Sequence, residues 1–392
     1  SGGKTGWNQS WRGPLREALA WLRDELAVIF ETKGLDYCSD PWSVRDHYID
    51  VILDRSDEAI DRFIAGHADR MAGRKDAIPF LKLMEMERHA LLMYTSCGWF
   101  FDELSGIETV QILEYAARAL QLGEELSGRR LEPRFLERPV RAKSNIPEIG
   151  DGGRLFLKEI KQDMITIEDV AAHYAITSVV KDYPPETGLF CFDMKNLDFQ
   201  RLDGGKKALV LGKAAAKSRI TKDGADMGFA VLHLGGHTFN GGVRRFISDE
   251  TYGIMKRDMM QAFEIGDFAE VVRLMDVHFG MHSYSFLSLF RDEQRKVLAV
   301  IIAETLDEFE VLCRNVYENN RILMNFLADS GIPVPAAFTG SAEFIHNTDL
   351  KKAFSAHPVD LGAARRIFGE MARWKRSAMA PEIRLQIKKA LD

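Results

Sequence analysis

Leu15, Leu19, Leu22, Leu26 and Ile29 recur three or four residues apart, which predicts one apolar face of a helix over residues 14–32. A loop with Gly, Asp and Pro follows. "SVRDHYIDVILD" and "SDEAIDRFIAGHADRM" then predict two further helices, the second capped by Ser56. "AIPFLKLMEMERHALLMYTSC" predicts a long helix, and "GIETVQILEYAARALQLGEEL" another. Residues 1–130 therefore read as a helical bundle with short connections. Beyond them, "SGRRLEPRFLERPVRAKSNIPEIGDGGRLF" holds three prolines and no sustained period, the pattern of a long connection over a surface. "TIEDVAAHYAITSVV" restores a helix, with Thr166 and Glu168 in its first turn. Residues 131–188 are thus an irregular connection and a helix.

The period then changes. "GLFCFDMKNLDFQRLDGGKKALVLGKAAAKSRI" and "DMGFAVLHLGGHTFNGGVRRF" carry alternating or continuous β-prone runs, cut by Asp-Gly, Gly-Gly and Asn-Gly turns. They predict four or five antiparallel strands within residues 189–246, a small sheet serving as spacer or docking surface. Helices return over residues 247–392, including the strongly periodic "DEQRKVLAVIIAETLDEFEVLCRNVYENNRILMNFL", which Pro333 and Pro335 terminate. The expected class is α+β and predominantly α-helical: helical bundles with a small antiparallel β-sheet inserted.

A chain of 392 residues exceeds what one compact core usually serves, so two or three packed subdomains are expected. Net charge is -6, and basic residues are interspersed with acids, which argues against a nucleic-acid surface. No apolar run approaches the roughly 20 residues of a membrane-spanning helix. Cys38, Cys97, Cys191 and Cys313 are far apart and form no CxxC pair, so free thiols in a reducing, cytoplasmic setting are expected. The start "SGGKTGWNQSWRGPLREALAWL" has neither an initiator Met nor a signal-peptide core, and suggests the C-terminal part of a longer protein.

Familiar catalytic signatures are missing: there is no GxSxG, Walker A loop, GxGxxG after a strand, or HExxH. No cofactor is expected. Cys97 has nothing obvious beside it to lower its pKa, which argues against a nucleophile. "HLGGH" and "HFGMH" place His233 with His237 and His278 with His282 at a spacing that suits a metal on a helix. Both pairs contain glycine and neither has a third ligand nearby, so histidines that pin loops by hydrogen bonds are the plainer reading. His282, Ser283, Tyr284 and Ser285 form a polar cluster before a helix starting near Asp292, with Phe286, Leu289 and Phe290 as anchors in a core.

The richest stretch is "MYTSCGWFFDELSGIET", Met93 to Thr109. Trp99, Phe100 and Phe101 are consecutive, so they cannot all face one core. The segment is either a kinked helix–helix junction or a ring-binding surface. Sugar rings present apolar C–H faces that stack on aromatics, while neighbouring polar groups take the hydroxyls. Asp102 and Glu103 are adjacent and point differently, so they do not make an acid/base pair by themselves.

"HALLMYTSCGWFFDELSGIETVQILEYAARALQL" resembles the helical region that follows the barrel in family 57 glycoside hydrolases. Ser96, Cys97, Gly98 and Trp99 take the places of that family's Ser-Ser-Asp-Trp-like helix end, with Gly98 where the family has Asp. The remainder, with "VLHLGGHTFNGGVRRF" and "HFGMHSYSFLSLFRDEQRKVL", is similar to an uncharacterised domain fused behind family 57 catalytic domains. The resemblance implies an accessory domain packed on an upstream family 57-like barrel of the same polypeptide. It also implies an α-glucan oligosaccharide as ligand, with Trp99, Ser96, Asp102 and Glu103 on the substrate side, Trp99 ending its helix partly exposed. The catalytic carboxylates would lie on the barrel and not in this chain. The alternatives are a non-catalytic protein-interaction or scaffolding module and, more remotely, a metal-dependent hydrolase using the histidine pairs.

Overall fold

In the computed structural model, which describes residues 4–71, 77–280 and 283–374, the predicted stripe of Leu15, Leu19, Leu22, Leu26 and Ile29 is the buried face of helix α1 (Arg12–Gly34). The "SVRDHYIDVILD" run forms two short helices, α2 (Pro41–His47) and α3 (Ile49–Leu53), parted at the buried Tyr48. Ser56 caps α4 (Asp57–His67) as expected, its side chain accepting from the Ala59 amide. Helices α5 (Ala77–Leu92) and α6 (Ile107–Ser127) complete the bundle.

The predicted extension of α5 to Cys97 is not formed. After Leu92 the chain tightens: the Tyr94 and Thr95 amides donate to the Leu91 and Leu92 carbonyls, and Thr95 Oγ1 donates to Leu92 O at 2.9 Å. A side-chain hydroxyl and short-range turns thus take up the helix's last carbonyls, and the helix stops.

Helix α5 is buried on nearly every side, although it carries Lys82, Glu85 and Glu87 among Phe80, Leu81, Leu83, Met84 and Met86. Lys82 pairs with Glu125 on α6 and with Asp223, far along the chain. Glu85 accepts from the Tyr48 hydroxyl at 2.6 Å and pairs with Arg55 at 2.7 Å and Arg88 at 3.0 Å. Burial alone would raise the Glu85 carboxyl; the Tyr48 hydrogen bond and the Arg55 charge outweigh it and hold it below the usual range. Glu87 is the opposite case. Burial pushes it up to about 7, because Arg45, 3.8 Å away, and Arg23 compensate only in part, and its Oε2 has no hydrogen-bond partner.

The proline-rich connection is packed structure. Helices α7 (Glu132–Leu136) and α8 (Gly152–Leu155), the latter running into a wide turn over Phe156–Ile160, bring Phe135 and Phe156 edge-on into the bundle core. Helix α9 (Ile167–Thr177) begins with a reciprocal cap: Thr166 accepts from the Asp169 amide, and Asp169 accepts from the Thr166 amide.

The predicted sheet is a five-stranded antiparallel meander in chain order, β1 (Glu186–Leu189), β2 (Phe192–Gly204), β3 (Lys207–Ser218), β4 (Gly224–His233) and β5 (Phe239–Arg245). Helices α10 (Asp249–Glu264) and α11 (Phe268–Phe279) cover one face, packing Met255, Met259, Phe263 and Val271 on Leu209, Leu211, Ala230 and Leu232. Helix α9 lies on the other face, where Tyr174 meets Phe229 edge-on at 5.9 Å. Burial on both faces is why β3 and β4 read as nearly continuous apolar runs. Gly212 lets the Phe229 ring cross the sheet, since a Cβ there would stand 2.2 Å from it. One sheet edge is closed by a backbone pair between Gly241 and Tyr284, 2.7 Å in each direction. The fold class is therefore α+β and mainly helical, as predicted.

The chain divides into two compact units, Ser1–Phe290 and Arg291–Asp392, so that bundle, connection and sheet lie within one unit. The second unit contains α12 (Arg291–Asp329), α13 (Ala336–Ser355) and α14 (Leu361–Arg373), with a small core of Leu350, Ala364 and Met371. Arg314 on α12 clasps Asp349 of α13 at 2.7 Å, and the Tyr317 hydroxyl donates to Glu370 of α14 at 2.6 Å. No helix among the described residues is long and apolar enough to cross a membrane.

The two buried acids of α5 predict opposite mutational signs. Glu85→Ala leaves Arg55 and Arg88 uncompensated and should lower unfolding stability in urea by about 3–5 kcal/mol. For Glu87 the fold favours the neutral form, so its contribution is present below its ordinary value of 4.5 and is lost as pH rises through about 7. Glu87→Gln should therefore stabilise the protein by about 3 kcal/mol at pH 8 and leave stability at pH 4 unchanged.

Candidate functional site

The segment after α5 is a turn whose backbone is clamped by side chains from three elements. Arg12 at the start of α1 donates to the Phe100 and Phe101 carbonyls at 2.8 and 2.9 Å. Trp11 Nε1 and Asn145 Nδ2 donate to the Asp102 carbonyl at 2.8 and 2.7 Å. Thr109 of α6 donates to the Gly98 carbonyl at 2.8 Å. Gly98 is pressed against α6 so closely that a Cβ would lie 1.9 Å from Ile112 Cδ1 and 2.9 Å from the Glu108 carbonyl. The segment is a kinked turn between helices that displays aromatics.

Trp99 lies in a single 3-10 turn, Ser96–Trp99, and not at the end of its helix as expected, because α5 has already stopped at Leu92. It is half-buried, its ring packed nearly parallel to Trp11 at 6.3 Å and under the Arg16 guanidinium at 5.6 Å. Its Nε1 is buried and has no hydrogen-bond partner among the described residues. The rings that project are Phe100, 65 % exposed, and Phe101, 50 % exposed, edge-on to each other at 5.2 Å. Ser96 and Cys97 are exposed beside them. Asp102 is half-exposed and accepts from Gln9 Nε2. Glu103 is buried: Oε1 accepts from Ser105 and Ser144, and Oε2 from the Asn145 amide at 2.9 Å. The structure thus brings Trp99, Ser96 and Asp102 to one turn and commits Glu103 to binding the turn to the 144–145 loop.

The histidine pairs do different work. His233 uses Nε2 on the Gly236 carbonyl at 2.9 Å and stacks on Phe239 at 4.4 Å, while His237 is exposed. His278 is half-buried, and its carbonyl accepts from Arg244; burial, together with the Arg244 charge, lowers its pKa. Its predicted companion His282 lies outside the described residues. No group of three or more potential metal ligands is found among the described residues. Of the polar cluster before α12, Tyr284 joins the sheet edge, Ser285 caps a 3-10 turn, and Phe286 and Leu289 are buried.

A second candidate site lies between bundle and sheet. A cavity of about 270 Å³ opens where α5 and α6 face the β1–β2 and β3–β4 turns, lined by Glu85, Arg88 and His89, by Glu114 and Arg118, and by Cys191. His89 is bound through Nδ1 to the Glu85 carbonyl at 2.8 Å, and burial lowers its pKa, so the ring is neutral near pH 7 with Nε2 as an acceptor. Glu114 is raised by burial and by the Asp163 charge. Sequence reading passed over these residues. The available signal was a set of charges, Glu85, Arg88 and Arg118, on helices otherwise built for burial.

A family model described as a domain of unknown function (DUF3536) matches residues 7–290. The chain belongs to the DUF3536 family. No curated protein and no solved structure matches it. The DUF3536 match ends at Phe290, where the first compact unit also ends. The clamped turn and the cavity therefore both belong to the DUF3536 domain, and α12 begins immediately after it.

The close approach of Gly98 sets the expected result of filling it. Gly98→Ala should destabilise the DUF3536 domain by about 1–3 kcal/mol through overpacking against Ile112. Thermal unfolding would show it, and the double variant Gly98→Ala, Ile112→Val should recover part of the loss.

Proposed function

We propose that the DUF3536 domain is an accessory domain of a family 57-like, α-glucan-acting protein. It packs on an upstream catalytic barrel of the same polypeptide and adds its aromatic turn to the wall of the glucan cleft. The observation that carries this reading is the outward display of Phe100 and Phe101 on a backbone whose carbonyls are held by Arg12, Trp11, Asn145 and Thr109. A rigid apolar edge of this kind can receive the C–H face of a sugar ring without first paying for its own ordering. The resemblance of residues 89–122 to the region behind the family 57 barrel supports the choice of ligand. Bond cleavage or transfer belongs to the barrel carboxylates. The four free cysteines fit a reducing compartment, the cytoplasm.

The alternative of a protein-interaction or scaffolding module draws on the second unit, where α12 exposes Ile302, Val311, Leu312, Ile322 and Phe326. Such a helix suits an apolar partner.

Trp99→Ala is a poor test alone, since it also removes the packing on Trp11. The sharper variant is the double substitution Phe100→Ser, Phe101→Ser in the polypeptide that includes the barrel. Amylose affinity should fall about 5- to 30-fold, for about 1–2 kcal/mol of stacking, with unfolding temperature unchanged. Unaltered affinity and turnover would remove the turn from the cleft and favour the interaction module. The chain without a barrel should release no product from maltooligosaccharides.

A further inference from the structure

The cavity between bundle and sheet is lined by a cation, Arg118, that forms no ion pair among the described residues. The carboxylates that act electrostatically on the Arg118 guanidinium are Glu125, Glu85 and Asp223, and other cations already hold each of them. Lys82 takes Glu125 and Asp223, while Arg55 and Arg88 take Glu85. Among the described residues no carboxylate comes within 4.0 Å of Arg118. Among the described residues its guanidinium makes one hydrogen bond, from Nη1 to Gln121 Oε1 at 2.6 Å, which leaves most of its five donors for the cavity that it lines. Around the same space stand acceptors: the Nε2 of His89, and Glu114, whose known bond is from Gln111 Nε2 at 2.7 Å to one oxygen only. The volume of about 270 Å³ equals about nine waters at roughly 30 Å³ each, or one ligand of monosaccharide size.

We propose that this cavity is a binding site for a small hydroxylated anion, of the sugar phosphate or sugar acid class. The phosphate or carboxylate meets the Arg118 fork, and hydroxyls donate to Glu114 and to His89 Nε2. A half-buried guanidinium without a paired carboxylate favours an anionic group over a neutral sugar, and it holds two anion oxygens side by side. The acceptors in the same lining favour a ligand rich in hydroxyls over bare phosphate. This site does not depend on the aromatic turn or on an upstream barrel.

Cys191 lines the cavity and reports its occupancy. The full chain is alkylated with iodoacetamide, and the rates at Cys191 and at the exposed Cys97 are followed separately by peptide mass spectrometry. Glucose 6-phosphate or gluconate, at concentrations below about 10 mM, should slow Cys191 and leave Cys97 unchanged. The comparison of the two probes distinguishes phosphate from carboxylate. Glucose should give no protection, and inorganic phosphate less than the better probe. Arg118→Gln should weaken protection at least about tenfold, the scale of a lost charge-assisted pair. Glu114→Gln, whose fold does not rest on the buried charge network, should weaken it several-fold and serves if Arg118→Gln does not fold. Absence of protection by both charged probes, equal protection by glucose or sodium sulfate, or full protection in the folded Arg118→Gln or Glu114→Gln variant would each overturn the proposal.

Discussion

The architecture of the DUF3536 domain depends on two opposite charges buried on one helix. Lys82 and Glu85 sit on α5, which is otherwise surrounded by apolar side chains, and an uncompensated ion there would cost several kcal/mol. Their partners come from everywhere around α5. Glu85 draws in the α2–α3 junction through Tyr48 and the approach to α4 through Arg55; Lys82 draws in α6 through Glu125 and the β3–β4 turn through Asp223. Lys222, next to Asp223, reinforces the same contact by pairing with Asp57 at 2.8 Å and donating to the Arg55 carbonyl at 3.1 Å. Any slip of the sheet over the bundle would separate Asp223 and Lys222 from these partners. Hydrophobic contact alone tolerates such slips, because it is non-directional. The charge network does not.

The cavity is a consequence of that arrangement. Sheet and bundle meet through the ends of long side chains at the β3–β4 turn, and the space beside them is bordered by Glu85 and Arg88 of the same network. Of the acids that act on Arg118, Glu125 and Asp223 are engaged by Lys82 in fastening the turn and Glu85 is engaged by Arg55 and Arg88, so none forms an ion pair with Arg118 among the described residues. The fastening and the polar lining of the cavity thus draw on one distribution of cations and acids on α5 and α6.

Much of this fold was legible wherever its cause is local. The stripe of α1, the Ser56 cap, the start of α9 near Thr166 and the change to a two-residue period before β2 all follow from residues within a few positions of one another. The charge network was not. Glu85 meets Tyr48 across 37 residues, and Lys82 meets Glu125 and Asp223 across 43 and 141. In the sequence these charges look like the solvent face of an amphipathic helix, and only the fold surrounds them. The aromatic turn lies between the two cases. That Trp99, Phe100 and Phe101 must diverge follows from their adjacency, but which of them projects was set by Trp11 and Arg16, more than eighty positions earlier in the chain. The burial of Glu103 was not legible for the same reason, since it is set by Ser144 and Asn145, 41 and 42 residues away.

The turn's chemistry also limits what can cover it. Trp99 already lacks an acceptor for its buried Nε1–H, a deficit of about 1–3 kcal/mol that packing on Trp11 and Arg16 offsets. Trp11 has no such deficit, because the Asp102 carbonyl accepts its indole proton. Phe100 and Phe101 carry no side-chain polar atom, so covering them strands no donor or acceptor, whereas leaving them in water forfeits about 25 cal/mol for each Å² of apolar surface. With Glu103 saturated and Asp102 partly engaged, polar recognition at this surface is confined to Ser96 and the free side of Asp102. The favourable occupant is therefore largely apolar on its contacting face and polar at its rim. A pyranose ring presents that division, and so does the apolar flank of a folded domain docking beside it.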